Sequence, residues 1–276
     1  MKIHSKLYQN RLNGQNGTVF PCIEIKSWHI NLFRALDLAN RAALGVMQIF
    51  PDCVFAYGQS DEYSFILRPD TKVHSRRRSK LVSLAVSKYT SVYQFYWSEF
   101  FPNTKLLYPP TFDGRCILYP TKEIVRDYIS WRQVDCHINN LYNTTFHKLI
   151  QIEKLSPTEA EKKLSKTLSA DKHEILHQMG INYNNEEEIF KKGSILIAAE
   201  EDSKNQENLM TWETENSEEK KHLMKRPICL LHCDVIGDKF WNERSSILMS
   251  LKELKRKKKE DFKANDVKRL KISSDE

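Results

Sequence analysis

The string VFAYGQSDEYSF, residues 54–65, constrains the fold more than any other stretch. Val54, Phe55, Ala56 and Tyr57 form a run of strand formers, Gly58-Gln59 reads as a turn, and Tyr63 to Leu67 alternates again as a second strand. The result is a β-hairpin with apolar arms and Ser60, Asp61 and Glu62 at its bend. Adjacent carboxylates at such a tip have no packing role. A hard divalent cation beside a nucleotide phosphate, however, wants oxygen ligands on rigid backbone. The plain alternative is a solvated turn.

Around this hairpin the chain alternates helices and strands, which predicts an α+β fold. Residues 34–50 form an amphipathic helix with Leu36, Ala39, Ala43, Val46, Met47 and Phe50 on one stripe. Arg76-Arg77-Arg78-Ser79-Lys80 opens a long helix that runs to about Phe100. Basic side chains at a helix start, where free N–H groups and the dipole already favour anions, suit a phosphate. Residues 106–115, LLYPPTFDGR, read as a proline-restricted loop with Asp113-Gly114 as a turn, leading into a strand over 116–119.

Residues 131–150 are the second informative stretch. On a helix, Arg132, Asp135, Asn139 and Asn143 share one side. Three asparagines within five positions (Asn139, Asn140, Asn143) cost a helix several tenths of a kcal/mol each. They suit hydrogen bonding to phosphates, base edges or ribose hydroxyls, and His137 offers a ring that can stack. A buried polar network tying the helix to the sheet is the competing reading. Ser156-Pro157-Thr158-Glu159 is a strong helix start, a second short helix over 171–179 stops at Gly180, and strands follow over 195–198 and 228–236. Cys229, His232 and Cys233 do not have zinc-site spacing.

With 276 residues, 40% of them hydrophobic, the chain holds one large domain with decorations. No apolar run reaches the length of a membrane span. Six cysteines scattered through apparent core segments read as reduced thiols, and the net charge of +7 permits a nucleic-acid partner. Residues 1–33 read as a divergent arm containing a short strand broken by Pro21. Residues 34–199 and 226–245 form the main domain, 200–225 a mobile acidic insertion and 246–276 a basic tail. That tail carries KRKKK and KRLK, which resemble a bipartite nuclear signal and equally suit contact with RNA phosphates.

YGQSDEYSF, RRRSK, LLYPPTFDGR, SWRQVDCHINNLYNT, ADKHEIL, INYN and LHCDVIGD, in this order, closely resemble the eukaryotic tRNA-histidine guanylyltransferases. The resemblance runs from about Arg34 to about Trp241. It implies a polymerase-palm-like, ferredoxin-like sheet with packed helices, an RNA-handling helical region and assembly as a homotetramer. The implied reaction adds one guanylate to the 5′ end of histidine tRNA. ATP adenylylates the 5′-phosphate and the GTP 3′-hydroxyl then attacks, with two Mg²⁺ ions as cofactors. By resemblance Asp61 is the metal ligand, with Glu62 as a supporting catalytic group. Ser60, Asp61, Arg77 and Lys80 bind the triphosphate. Arg132, His137, Asn139, Asn140, Tyr142, Asn143, Lys172 and Lys192 contact tRNA or nucleotide.

The family also carries an Asp-Gly metal pair at the end of its first strand. Here Lys26 and Ser27 fall at that place, with Glu24 two residues short. Two other functions follow from this departure and from the chemistry: a non-catalytic tRNA-binding member, and a 3′–5′ tRNA repair polymerase. The compartment implied is cytoplasm or nucleus, and the basic start of the chain has a faint mitochondrial flavour.

Overall fold

The structure, a computed structural model, describes residues 20–26, 33–198 and 227–272, with side chains over 33–198 and 227–261. Six strands form one antiparallel sheet: β1 (Phe20–Lys26), β2 (Cys53–Gln59), β3 (Glu62–Leu67), β4 (Asp113–Tyr119), β5 (Ser194–Ala198) and β6 (Ile228–Leu231). Their order across the sheet is β4-β1-β3-β2-β5-β6. The nine helices of the described residues are α1 (Phe33–Ile49), α2 (Arg78–Phe95), α3 (Trp97–Phe100), α4 (Lys122–Gln151), α5 (Pro157–Leu164), α6 (Ser169–Gln178), α7 (Glu188–Lys192), α8 (Asp238–Glu243) and α9 (Leu251–Ile272). The fold is therefore α+β.

Alternation along β3 decides which helices cover which face. Tyr63, Phe65 and Leu67 pack with Leu38, Met47 and Phe50 of α1 and Leu81, Ala85 and Tyr89 of α2. Ile66, from the other face, packs with Val125 and Ile129 of α4 and Phe240 and Trp241 of α8. A sheet buried on both faces needs apolar residues at successive positions, and β2 is buried along its whole length. Burying side chains such as Phe55 and Phe65 contributes about 1.5–3 kcal/mol each before entropy is subtracted.

Helix α4, at 30 residues, is about 45 Å long and outruns the sheet. Its overhanging half carries α5 and α6 through Leu149, Ala160 and Leu164 on one patch and Leu141 and Leu176 on another. The capping box expected at Ser156 and Glu159 is present at the start of α5, and Gly180 takes φ +76° just past α6.

Four segments differ from expectation. The strand over residues 20–26 is an interior strand, paired with both β3 and β4, instead of part of a loose arm. Pro21 is tolerated because pairing with β3 begins only at Cys22, so its missing N–H costs at most one ladder bond. Asp113 and Gly114 belong to β4 and are not a turn, and β6 ends at Leu231, leaving His232–Asp234 in a loop. The basic tail is helical from Leu251 to Ile272. The rest of the N-terminal arm and the acidic insertion over 200–225 lie outside the described residues.

Candidate active site

The hairpin turns two residues later than the sequence suggests. Gly58 and Gln59 remain in β2, with Gly58 opposite Tyr63 and Gln59 opposite Glu62, so the loop is Ser60-Asp61 alone. Gly58 is required by crowding: a Cβ there would sit 2.2 Å from the Tyr63 ring, which is fully buried and donates to Asn40 Oδ1 at 2.7 Å. Ser60 takes φ +49°, the positive value a two-residue hairpin loop demands at its first position. Ser60 is thereby exposed and Asp61 half-buried.

Glu62 does not point at solvent. Its Oε1 accepts from Arg132 Nη1 at 2.5 Å and from Gln59 Nε2 at 2.6 Å, and the same Gln59 amide donates to Asp135 Oδ2 at 3.1 Å. Arg132 also lies 3.7 Å from Asp135 and stacks on the Trp131 ring at 3.5 Å. These four side chains clamp the hairpin tip onto the middle of α4. Sequence reasoning read Gln59 only as half of the turn. The available signal was the i, i+3 spacing of Arg132 and Asp135 opposite two acids and an amide.

Below the clamp, a cleft of about 530 Å³ opens between the hairpin tip, α4 and α7. Ser60, Asp61 and Glu62 form one wall, and Asp135, Asn139, Asn140 and Asn143 another, with Leu36, Ile189 and Phe190 closing the back. The two stretches singled out in the sequence thus face each other. His147 and Lys148, a turn beyond Asn143, line its far end, Lys148 bringing a positive charge, and sequence reasoning missed both. Cys136 is also in the wall, but burial pushes its thiol up to about 12, so it is inert.

Other candidates lie elsewhere. Arg132 is 6% exposed and spent on Glu62, so it supports the tip and cannot reach an RNA. Lys172 is buried, its ammonium donating to Thr167 O and Oγ1, both at 2.9 Å, which makes it a brace of the α5–α6 loop instead of a surface contact. Tyr142 packs in that same patch beside Phe146. Asn140 donates to Tyr183 Oη at 2.9 Å. His137 sits outside the cleft with His173 and Tyr183 at centroid distances of 6.3 and 5.6 Å. Its pKa is lowered by burial, then by His173, Lys192 and Lys191. Lys192 is half-buried, its carbonyl accepting from Tyr57 Oη and from Gln133 Nε2, both at 2.9 Å.

The expected grouping of Arg77 and Lys80 with Asp61 is not what the fold provides. Tyr89 of α2 packs on Tyr63, next to the hairpin tip, at a centroid distance of 6.1 Å, and Arg77 precedes it by about 18 Å of helix axis, Lys80 by about 13 Å. The basic run starts beside the far end of the hairpin, where Arg76 Nη1 donates to Pro69 O at 2.6 Å just beyond the end of β3. The sequence could not show that α2 runs back toward the tip only as it ends.

As to metal, no three His, Cys, Asp or Glu side chains converge as an ion site among the described residues. Glu62 is held by Arg132. Asp61 fits a Mg²⁺ that arrives with a nucleotide, since this ion is commonly held by one or two carboxylates together with phosphate oxygens. The sheet register sets Lys26 opposite Glu62 on one side and Asp113 on the other, with Glu24 opposite Ser64.

An acidic turn on rigid backbone over an asparagine-lined cleft defines a phosphate-handling protein of the α+β class. Two family models match the chain, "tRNAHis guanylyltransferase" over residues 29–120 and "Thg1 C terminal domain" over 123–237. The probable tRNA(His) guanylyltransferase of Homo sapiens is 47% identical over 223 residues, covering 78% of this chain and 73% of that one. The Schizosaccharomyces pombe enzyme is 48% identical over 216 residues, covering 78% and 80%. The crystal structure of the Saccharomyces cerevisiae enzyme matches with TM-score 0.62 at 43% identity, covering 66% of this chain and 86% of that one. A bacterial guanylyltransferase-like protein in complex with ATP shares the fold at TM-score 0.60 and 16% identity, covering 85% and 92%. The chain belongs to the tRNA(His) guanylyltransferase family of nucleotidyltransferases.

Proposed function

We propose that this chain adds one guanylate to the 5′ end of histidine tRNA. The observation that carries the reading is the single cleft onto which the Ser60-Asp61 turn and the Asn139–Asn143 stripe both open. In the first step a 5′-phosphate oxygen of the tRNA attacks the α-phosphorus of ATP and pyrophosphate leaves. In the second, the 3′-hydroxyl of GTP attacks the activated 5′-phosphorus and AMP leaves; water then attacks the α-phosphorus of the added nucleotide and pyrophosphate leaves, giving a 5′-monophosphate. Related chains in complex with ATP and with GTP support both nucleotides as substrates.

Mg²⁺, when bound, neutralises phosphate charge and lowers the attacking hydroxyl's pKa. Asp61 would hold it. Ser60 donates its hydroxyl to a phosphate oxygen, and the Asn139 and Asn143 amides orient ribose or phosphate from the opposite wall. Glu62, Arg132, Gln59 and Asp135 keep the turn fixed against α4, so positioning is supplied before substrate binds. The split order of β1-α1-β2 with β3 between them supports a palm-like, ferredoxin-like reading of the sheet. Exposed Trp131 and Ile138 on α4 support burial against another copy in a tetramer, to be checked by light scattering.

A second reading has its own observation. Lys26 stands at the register position beside Glu62 where a second carboxylate would serve a two-ion clamp. A tRNA-binding member without catalysis would have this arrangement. Purified protein with 5′-monophosphorylated histidine tRNA, ATP, GTP and Mg²⁺ separates the two. Labelled guanylate at the 5′ end is expected; tight tRNA binding without incorporation would establish the adaptor instead.

A further inference from the structure

Among the described residues, little packs on the side chains of α9 past its first turn. Its first turn is fixed firmly. The Ser250 N–H donates to Glu253 Oε2 at 2.7 Å, and the Glu253 N–H donates back to Ser250 Oγ at 3.2 Å. Leu251 N–H donates to Asp70 Oδ2 at 2.8 Å, and Lys122 Nζ meets Glu253 Oε1 at 2.8 Å. These bonds tie α9 to the loop after β3 and to the start of α4. Past that turn its side chains through Asp261 are exposed, except for half-buried Leu254 and Lys257.

What it presents is charge. Between Lys252 and Lys259 six residues are cationic and one is acidic. Lys252, Lys255 and Lys259 follow the i, i+3, i+7 spacing of one helix face and, with Arg256 and Glu260, edge a shallow concavity of about 420 Å³. Arg256 is paired with Glu260 at 2.8 Å, and Lys257 donates to Ser245 Oγ at 2.9 Å. Among the described residues no carboxylate pairs with Lys252, Lys255 or Lys259. Like charges one turn apart destabilise a helix, and a helix polar on all sides persists only where it is held or bridged. The anchored first turn supplies the hold. Among the described residues the stripe remains unpaired, and an anionic partner would relieve it.

We propose that the Lys252/Lys255/Lys259 face of α9 docks the phosphate backbone of an RNA outside the catalytic cleft. From Lys252 to Lys259 the helix axis advances about 10 Å. That spans roughly three phosphates along one strand, taking the ~3.4 Å of axis per charge in duplex DNA as a guide; in an RNA duplex the charges are set somewhat closer. The contact carries no base sequence, so it grips the body of the RNA while the cleft holds the reacting end. That the RNA is a tRNA rests on the proposed function; the docking itself does not. A nuclear-import signal is read as an extended segment, whereas this run is helical and its start is fixed to the core.

The test uses the full chain, a labelled histidine tRNA and a labelled RNA hairpin of unrelated sequence, with binding followed by anisotropy between 50 and 200 mM KCl. K252A/K255A/K259A is expected to bind both RNAs about tenfold more weakly, with a log–log salt slope shallower by about 2–3. Its melting temperature stays that of the parent because all three side chains are exposed. The triple arginine variant restores affinity and slope. An unchanged affinity and slope would overturn the proposal, as would RNA binding that persists while affinity for an import receptor is lost. Absence of guanylate incorporation by the parent chain sinks the catalytic reading alone, since the slope comparison needs only binding.

Discussion

Replacing Arg132 with methionine removes the cation that holds Glu62. Both side chains are withdrawn from water, at 7% and 15% exposure, and they meet at 2.5 Å. Breaking a buried pair by deleting one partner costs about 3–5 kcal/mol, because the other charge is left uncompensated. Two features pull the value down here. Gln59 still donates to Glu62 at 2.6 Å, and the carboxylate can relax toward the cleft that it lines. Methionine also keeps much of the packing volume over Trp131. The expected loss is roughly 2–3 kcal/mol, which for a domain of this size lowers the melting temperature by about 5–10 °C.

The assay is a double-mutant cycle in urea with R132M, E62Q and R132M/E62Q. In the E62Q background no charge is orphaned, so R132M should cost at least about 1 kcal/mol less there than alone. With the tip no longer fixed, kcat/KM for GTP should fall about 10–100-fold in R132M through kcat more than KM. Costs that add within about 0.5 kcal/mol would show that the pair is not coupled and refute the clamp.

Asp61→Asn keeps the turn but removes the oxygen charge. Guanylate incorporation should drop by about 10²–10³, with melting unchanged within a degree or so. Ser60→Gly relieves a left-handed serine and should stabilise the chain by up to about 1 kcal/mol in urea, while raising KM for GTP through loss of the hydroxyl. Gly58→Ala drives a methyl into the Tyr63 ring and should cost about 1–3 kcal/mol or prevent folding, as read by expression and urea titration. Glu253 is raised by burial, but hydrogen bonds from Lys122 and Ser250 outweigh this and hold its carboxyl at about 2. A depressed folded value stabilises fully above about 4.5 and is lost as pH falls through about 2, so α9 should detach over that window in acid. E253Q should remove this pH dependence, with the detachment followed by the fluorescence of a label placed on α9.

The hairpin and the facing helix were readable because period-two and period-four patterns survive in the sequence undisturbed by context. Ser60 and Asp61 sit at the bend as expected, and Asn139 and Asn143 open onto the same cleft. The Ser156 cap and the Gly180 stop were readable for the same local reason. Failures came where burial reverses the usual meaning of a residue. Arg132 and Lys172 look like surface cations, yet each spends its charge inside, on Glu62 and on the oxygens of Thr167. Gln133 gave no sign that its amide, buried at 1% exposure, joins Lys192 O, Cys233 O and the Val235 N–H. Pro21 argued against an interior strand because sequence alone does not reveal where a neighbouring ladder begins. The distance between Arg77 and Asp61 is a property of topology that no local pattern encodes.

The position of β1 has a consequence for how the chain comes together. Its neighbours β3 and β4 end at Leu67 and Tyr119, so the first strand to leave the ribosome must wait for about a hundred further residues before both its edges can pair. Until then β1 can pair with the β2–β3 hairpin along one edge, while its other edge waits for β4. Any transcript or start site that dropped residues 20–26 would therefore orphan β4, whose pairing among the described strands is with β1.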